Sequence, residues 1–231
     1  HWNTQQQYWG LCAQNDCQLM LPYLNTYYKM IPSGIELAKE KGCPNDALLF
    51  TEAHSFNGNQ DTKDRSDMKN NFTPASQIAS LFWDYYEFTG DEIFLKDKAY
   101  PFMKKAANFY LDKLQWDEAK KEYYLYSSVY ESASIDHVKN AISDRVCIER
   151  LFNNCIKADK KQVSKWKYVL DHLWEISYQE YEKCGETIAP AEEYYTNERY
   201  TPWIWSNGGL VAFPAGTIGI DDRDSRMGRA V

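Results

Sequence analysis

Residues 73–114 restrict the fold more than any other stretch of the chain. Two amphipathic helical segments follow one another there, joined by only Phe88-Thr-Gly-Asp91. Thr73-Pro74 reads as a helix start, with Thr73 as N-cap and Pro74 at the first helical position, where its missing N–H costs nothing. Ile78, Leu81, Phe82, Tyr85 and Tyr86 recur at helical spacing. Thr89-Gly90 closes the segment, Asp91 opens the next, and Pro101 restarts it. Phe102, Ala106, Phe109, Tyr110 and Leu114 make its inward stripe. So short a turn forces two antiparallel helices, each with an apolar face to bury.

The same pattern recurs on both sides. Trp2 to Asn15 reads as a first helix or an entry loop into one. A helix is expected from near Asp16, whose carboxylate would cap it, through Leu19, Leu21, Leu24, Tyr27, Tyr28 and Ile31; Pro22 inside it predicts a kink. Pro32-Ser-Gly resets the chain, and Ile35 to Lys41 forms a short helix ended by Gly42. Further on, Ile142, Val146, Ile148, Leu151, Phe152, Cys155 and Ile156 share a helical face. Asp144 lies in that helix's first turn, where a carboxylate suits the dipole. Val163 to Lys183 is expected as its antiparallel partner, through Trp166, Val169, Leu170, Leu173, Trp174, Ile176 and Tyr181, with Lys160, Lys161, Lys165 and Lys167 on a solvated face. Helical hairpins thus recur roughly every 40 to 60 residues, the spacing of helical arrays.

Between the helices lie segments of another kind. Cys43 to Thr73 is long, polar and unperiodic, and loops of that length in compact domains are commonly functional. His54, at its apolar start, reads as structural. Asp61, Asp64 and Asp67 are spaced faintly like a calcium loop but lack its glycine and closing Glu, so no metal or other cofactor is expected. Tyr123 to His137 is aromatic, β-leaning and nearly free of charge. In its middle stands Glu131, a carboxylate among rings and hydroxyls, where desolvation favours the protonated form that a general acid needs. Past Gly185, Tyr194, Tyr195, Tyr200, Trp203 and Trp205 crowd a stretch that runs into Ser206-Asn-Gly-Gly. Asp221-Asp-Arg-Asp-Ser-Arg reads as a surface turn or helix start.

Composition narrows the class of function. Aromatics are 16% of 231 residues, more than a core requires, and Tyr and Trp present a ring face with a polar handle, which suits sugars. The net charge of −7 and the lack of a basic stripe exclude nucleic acid as the expected partner. No apolar run is long enough to span a bilayer. The six cysteines form no CxxC pair and are expected free, with Cys12 and Cys17 the one conceivable bridge.

Three places resemble glycoside hydrolase family 95, whose founding activity is α-L-fucosidase. Trp2-Asn-Thr-Gln-Gln-Gln-Tyr-Trp9 is similar to the family's Asn-x-Asn-x-Gln-x-Asn-Tyr-Trp motif. Phe72 to Asp91, with Phe94-Leu and Tyr100 to Asp112, resembles its central hairpin and is the most specific match. Tyr126-Ser-Ser-Val-Tyr-Glu-Ser-Ala133, with Asn140 to Asp144, resembles its Ser-Pro-Ser-x-Ser-Pro-Glu-Asn loop and the helix start after it. A weaker likeness reaches Ile218.

The resemblance implies an all-α fold of helical hairpins forming part of an (α/α)6 six-hairpin toroid. Residues 1–231 would be a single partial catalytic domain, a fragment of a longer chain. It implies an inverting glycosidase for a terminal α-linked sugar, fucose or a relative, in a secreted or periplasmic setting. Glu131 falls on the family's acid and Asn3 on an amide that positions the water. His1 stands where the family has Asn and could serve the water in its place. Gln5, Gln7, Tyr130 and Trp205 are the expected sugar contacts, and an oligosaccharide or glycan is the expected partner. Val129-Tyr130 and Ser132 depart from the family around the acid. Trp203-Ile-Trp-Ser stands where a His-rich run is usual, and the helping Asp lies in a later motif. A non-catalytic helical module that binds glycan or protein is the competing reading, and a bare helical scaffold a third.

Overall fold

A computed structural model describes residues 2–60, 70–129, 137–182, 184–194, 206–212 and 215–231; for 2, 3 and 206–208 it describes the backbone alone. About half the chain is helical. The helices are α1 (Trp2–Gln5), α2 (Leu21–Lys29), α3 (Ile31–Glu40), α4 (Thr73–Thr89), α5 (Glu92–Phe94), α6 (Tyr100–Lys113), α7 (Ile142–Ala158), α8 (Val163–Asp171) and α9 (Arg226–Arg229). Among the described residues, three two-stranded antiparallel ribbons join them: β1 (Gln115–Asp117) with β2 (Glu122–Tyr124), β3 (Tyr126–Ser127) with β4 (Val138–Lys139), and β5 (Tyr178–Tyr181) with β6 (Gly185–Ile188). These short ribbons are compatible with a helical domain, and the helical hairpins expected from the sequence are present.

Helix α4 is the central element. Every residue from Asn71 to Ala79 is buried, so its first two turns have no solvent side. α6 and α7 pack on it, with α2 and the turn of 3-10 helix at Cys17–Met20 against other faces. A stack of rings ties these elements together. Phe82 lies 4.4 Å from Phe102 with planes 18° apart, and 5.8 Å from Phe94. Phe102 in turn stacks on Phe50 at 6.2 Å. Phe50, Phe82 and Phe102 are fully buried. Offset stacking adds to the area such rings remove from water.

Several local expectations are corrected. Thr73 is not the N-cap: Phe72 occupies that place, and Thr73 is the first helical residue. Its N–H and hydroxyl both donate to Oδ1 of Asn71, at 3.2 and 2.9 Å, so the capping oxygen comes from two residues earlier. Asp16 precedes the 3-10 turn at Cys17–Met20, but its side chain caps nothing there. That turn separates Pro22 from what precedes it, so Pro22 falls in the first turn of α2 and causes no kink. Pro32 likewise lies in the first turn of α3, which starts at Ile31 rather than Ile35. Gly34 is therefore inside a helix. A Cβ there would collide with Leu48 Cδ1 and come within 2.9 Å of the Leu49 carbonyl oxygen. The chain after α3 packs directly on that bare backbone.

The largest correction concerns residues 172–183. The helix expected from Val163 to Lys183 ends at Asp171. The backbone of β2 captures the chain there: Tyr123 N–H donates to the His172 carbonyl at 2.7 Å, and Tyr123 bridges Leu173 in parallel. With its carbonyl so occupied, His172 leaves the helix, and Leu173 and Trp174 drop into the core. Ile176 joins the packing around β6, and Tyr178 to Tyr181 enter the β5–β6 ribbon.

The remaining elements follow the sequence. Asp91 caps α5 through Phe94 N–H at 2.9 Å, a π turn at Leu95–Ala99 leads to α6, and Gly90 closes α4 with φ +67°. Ser225 caps α9. All six cysteines are free, Cys12 and Cys17 included. Among the described residues no helix is long and apolar enough to cross a membrane.

Phe82→Ala removes the middle ring of the stack and is expected to cost about 3–5 kcal/mol. Urea unfolding followed by circular dichroism measures it. A loss below about 1 kcal/mol, the range of a surface change, would show that the stack does not hold α4 to α5 and α6.

Candidate functional site

Two anchors, one through side chains and one through the backbone, place the segments that carry the sequence-predicted residues. The first belongs to α1. Gln5 is completely buried, and its Nε2 donates to Oε1 of Gln77 on α4 at 2.6 Å. Asn3 lies within this single turn of helix. The second belongs to the segment that contains Glu131. At its base β3 pairs with β4, Ser127 opposite Val138. Ser128 N–H donates to the Asn70 carbonyl at 3.0 Å, three residues before α4 begins. Val129 and Val138 are buried together with Ala141 and Ala191. Beyond the strands, Asn140 exchanges backbone and side-chain bonds with Leu125 at 2.8 and 2.9 Å, in the left-handed conformation that Asn tolerates. Both anchors converge on the start of α4.

Of the expected site residues, Gln5 is placed with its side chain and Asn3 by its backbone. Gln7 is exposed and does not line the cavity beside Gln5. His1, Tyr130, Glu131 and Trp205 lie outside the described residues, as do Asp61, Asp64 and Asp67. His54 packs against the rings of Tyr27 and Phe50 at 5.3 and 5.8 Å.

A cavity of about 170 Å³ opens beside Gln5. Gln77, Ser80, Leu81 and Asp84 of α4 form one wall, at the i, i+3, i+4, i+7 spacing of a single helix face. Val146, Cys147 and Arg150 of α7 form another, Trp9 a third, and Leu210, Ala212, Ala215 and Gly216 close it. Arg150 Nη2 meets Asp84 Oδ1 at 2.6 Å. Burial pushes the Asp84 carboxyl up and the Arg150 guanidinium pulls it back, with burial the larger effect. Burial also pushes the Cys147 thiol up to about 12, which makes it inert as a nucleophile. The lining is mostly apolar, and its polar groups bond to one another, Gln5 to Gln77 and Arg150 to Asp84. Among the described residues no group of His, Cys, Asp and Glu is arranged to hold a metal ion.

One turn before Cys147 on α7 lies Asp144, in the helix's first turn as expected and fully buried. Ser127 Oγ donates to its Oδ2 at 2.6 Å, and the Tyr110 hydroxyl lies 3.0 Å from its Oδ1. Burial raises the Asp144 carboxyl to about 7, against the pull of the Ser127 and Tyr110 hydroxyls. A signal was there to read: Asp144 stands four and seven residues before Ile148 and Leu151, on the same apolar stripe. Gln77 and Asp84 were missed for the same reason, as polar residues on a helix read for its apolar ones.

The family model of the glycosyl hydrolase family 95 catalytic domain matches residues 1–201. The chain belongs to this family. A search of curated proteins finds no match. Membership in family 95 makes this a glycoside hydrolase catalytic domain, and the matched span includes both anchored segments and the wall helices α4 and α7.

The raised Asp144 carboxyl predicts a pH dependence of stability. Because its folded pKa lies above the ordinary carboxylate value, folding takes up a proton. The contribution is full below about pH 4 and is lost as pH rises through about 7, at up to about 1.4 kcal/mol per pH unit. The wild-type stability measured against that of Asp144→Asn by urea unfolding should therefore fall between about pH 4 and pH 8. A difference constant over that range would mean that Asp144 is not held neutral.

Proposed function

We propose that the domain hydrolyses a terminal α-linked sugar, fucose or a close relative, from a glycan with inversion at the anomeric carbon. Glu131 is the general acid and protonates the leaving oxygen. Asn3, with His1 beside it in sequence, orients the water on the other face of the ring. An amide oxygen accepts a hydrogen bond from that water but is a weak base by itself, so a further carboxylate completes the activation. Gln5, Tyr130 and Trp205 hold the sugar. The helical hairpins form part of an (α/α)6 toroid whose funnel receives the glycan.

One observation carries this reading beyond family membership. The segments bearing Asn3 and Glu131 lie far apart in sequence, yet their anchors meet within two helical turns at the start of α4, Gln5 on Gln77 and Ser128 on Asn70. An inverting site needs such a convergence, because acid and water must face one ring from opposite sides. The cavity beside Gln5, with Trp9 in its wall, supports Gln5 as a sugar contact. The departures at His1, Val129-Tyr130 and Ser132 favour the competing reading, a module that binds glycan without cleaving it.

A panel of nitrophenyl α-glycosides separates the two. The wild-type protein should hydrolyse at least one of them, and Glu131→Gln should lower kcat by about 10²–10⁴-fold. Proton NMR of the first-formed product should show the inverted anomer. Equal rates for wild type and Glu131→Gln would remove Glu131 from the mechanism. Binding of glycans without turnover would favour the module.

A further inference from the structure

The hydroxyls around Asp144 obey a proton count that says how the Glu131 segment is held. The Tyr110 hydroxyl has two acceptors in reach, the Phe72 carbonyl at 3.2 Å and Asp144 Oδ1 at 3.0 Å, but only one proton to give. Suppose Asp144 is ionised. Ser127 and Tyr110 then both donate to the carboxylate, and the Phe72 carbonyl loses its bond from Tyr110. With Asp144 protonated, each contact carries one proton: Ser127 donates to Oδ2, Oδ1–H donates to the Tyr110 oxygen, and Tyr110 donates to the Phe72 carbonyl. The neutral acid alone makes a continuous relay from β3 through α7 and α6 to the residue that precedes α4. Burial agrees, since Ser127, Tyr110 and Asp144 are each at most 1% exposed. The groups that face the Asp144 carboxyl are Tyr110 from α6, Ser127 from β3 and Cys147 from its own helix. Ser76 of α4, beside Tyr110 and Cys147, is neutral and committed to the Thr73 carbonyl at 2.7 Å. Among the described residues no cation pairs with Asp144.

We propose that Asp144 is a positioning residue of the glycosidase site: through the Ser127 and Tyr110 hydroxyls it fixes strand β3, four residues before Glu131, to the start of α4 where the Asn3 helix is seated. The proposal rests on the hydrolase reading above, because the segment it holds is the one that bears the acid. Asp144 is fully buried and does not line the cavity beside Gln5. It acts by setting where the chain that leads to Glu131 begins, relative to the helix that carries the opposing amide. Loss of its proton turns the Tyr110 hydroxyl from the Phe72 carbonyl to the carboxylate and cuts the link to α4. The Tyr110–Phe72 link is therefore made below about pH 7 and lost above it, leaving Ser128 on the Asn70 carbonyl as the remaining link from this strand to the start of α4.

The substitution Asp144→Asn tests this without removing a hydrogen-bonding group. An amide oxygen accepts from Ser127, and an amide N–H donates to Tyr110 at every pH. On a nitrophenyl α-glycoside, Asp144→Asn should keep a kcat close to wild type at about pH 6 and retain it above about pH 7, where wild type declines. Asp144→Leu should lower kcat about 10–100-fold with KM little changed, the signature of a misplaced catalytic group. Tyr110→Phe keeps the buried ring, should shift kcat in the same direction, and covers the case in which Asp144→Leu does not fold. Amide hydrogen exchange of the peptide spanning residues 126–139 gives a second readout that needs no activity. It should speed up in Asp144→Leu and Tyr110→Phe but not in Asp144→Asn. An Asp144→Asn enzyme as impaired at about pH 6 as Asp144→Leu would overturn the neutral relay. Equal exchange in wild type, Asp144→Leu and Tyr110→Phe would overturn the tether. Failure of the wild type to cleave any α-glycoside would instead defeat the hydrolase reading, and the exchange result would still decide the tether.

Discussion

The total burial of the first turns of α4 is the constraint on which the rest of the structure depends. A helix with one wet face can leave its polar side chains in water. From Asn71 to Ala79 there is no such face, so each polar group there must be met by protein or cost free energy. Thr73 is met by Asn71, Ser76 by the Thr73 carbonyl, and Gln77 by Gln5. The last of these partners comes from the N-terminal motif. Gln77 is thus the point at which the N-terminal motif is fastened to the core.

Function follows from that fastening. α1 is one turn long and could not hold a position by itself; its buried Gln5–Gln77 bond supplies the position. β3 and β4 are two residues each, too short for independent stability, and draw it from Ser128–Asn70, the Val129–Val138 cluster and the Asp144 carboxyl. The ring stack from Phe50 through Phe102 and Phe82 to Phe94 keeps α4 itself from shifting. A rigid scaffold that holds short, weak elements is the usual arrangement of a catalytic site, where residues on loops are placed by the core beneath them.

The helices were legible in the sequence where periodicity, a terminating glycine and a well-placed proline agreed, as in α4, α6 and α7. They were misread where tertiary contacts decided the outcome. Nothing local to residues 163–183 says that the edge of β2 will take the His172 carbonyl and end the helix at Asp171. The cap of α4 was assigned to Thr73, the nearest hydroxyl residue, while Asn71 reaches it from two positions earlier. At the site, Gln5 and Asn3 came from motif resemblance and proved to sit on a helix pinned to the core. Asp144 was read for its place in the first turn of α7, which is right but says nothing of its burial. Its place in line with Ile148 and Leu151 was the better guide. Gln77, Asp84 and Arg150 bring polar groups into a cavity that no pattern in one strand of sequence would reveal, since its walls come from separate segments.

In the proposed mechanism, two segments distant in sequence meet at the start of α4 to act on one sugar. A crystal structure of the Glu131→Gln protein with a bound α-glycoside tests it directly. The substituted side chain at position 131 and that of Asn3 should lie on opposite faces of the same sugar ring. Their separation should be about 6.5–9.5 Å, the gap that admits a water in an inverting site. A glycoside bound elsewhere, with residues 3 and 131 on different surfaces of the protein, would contradict it.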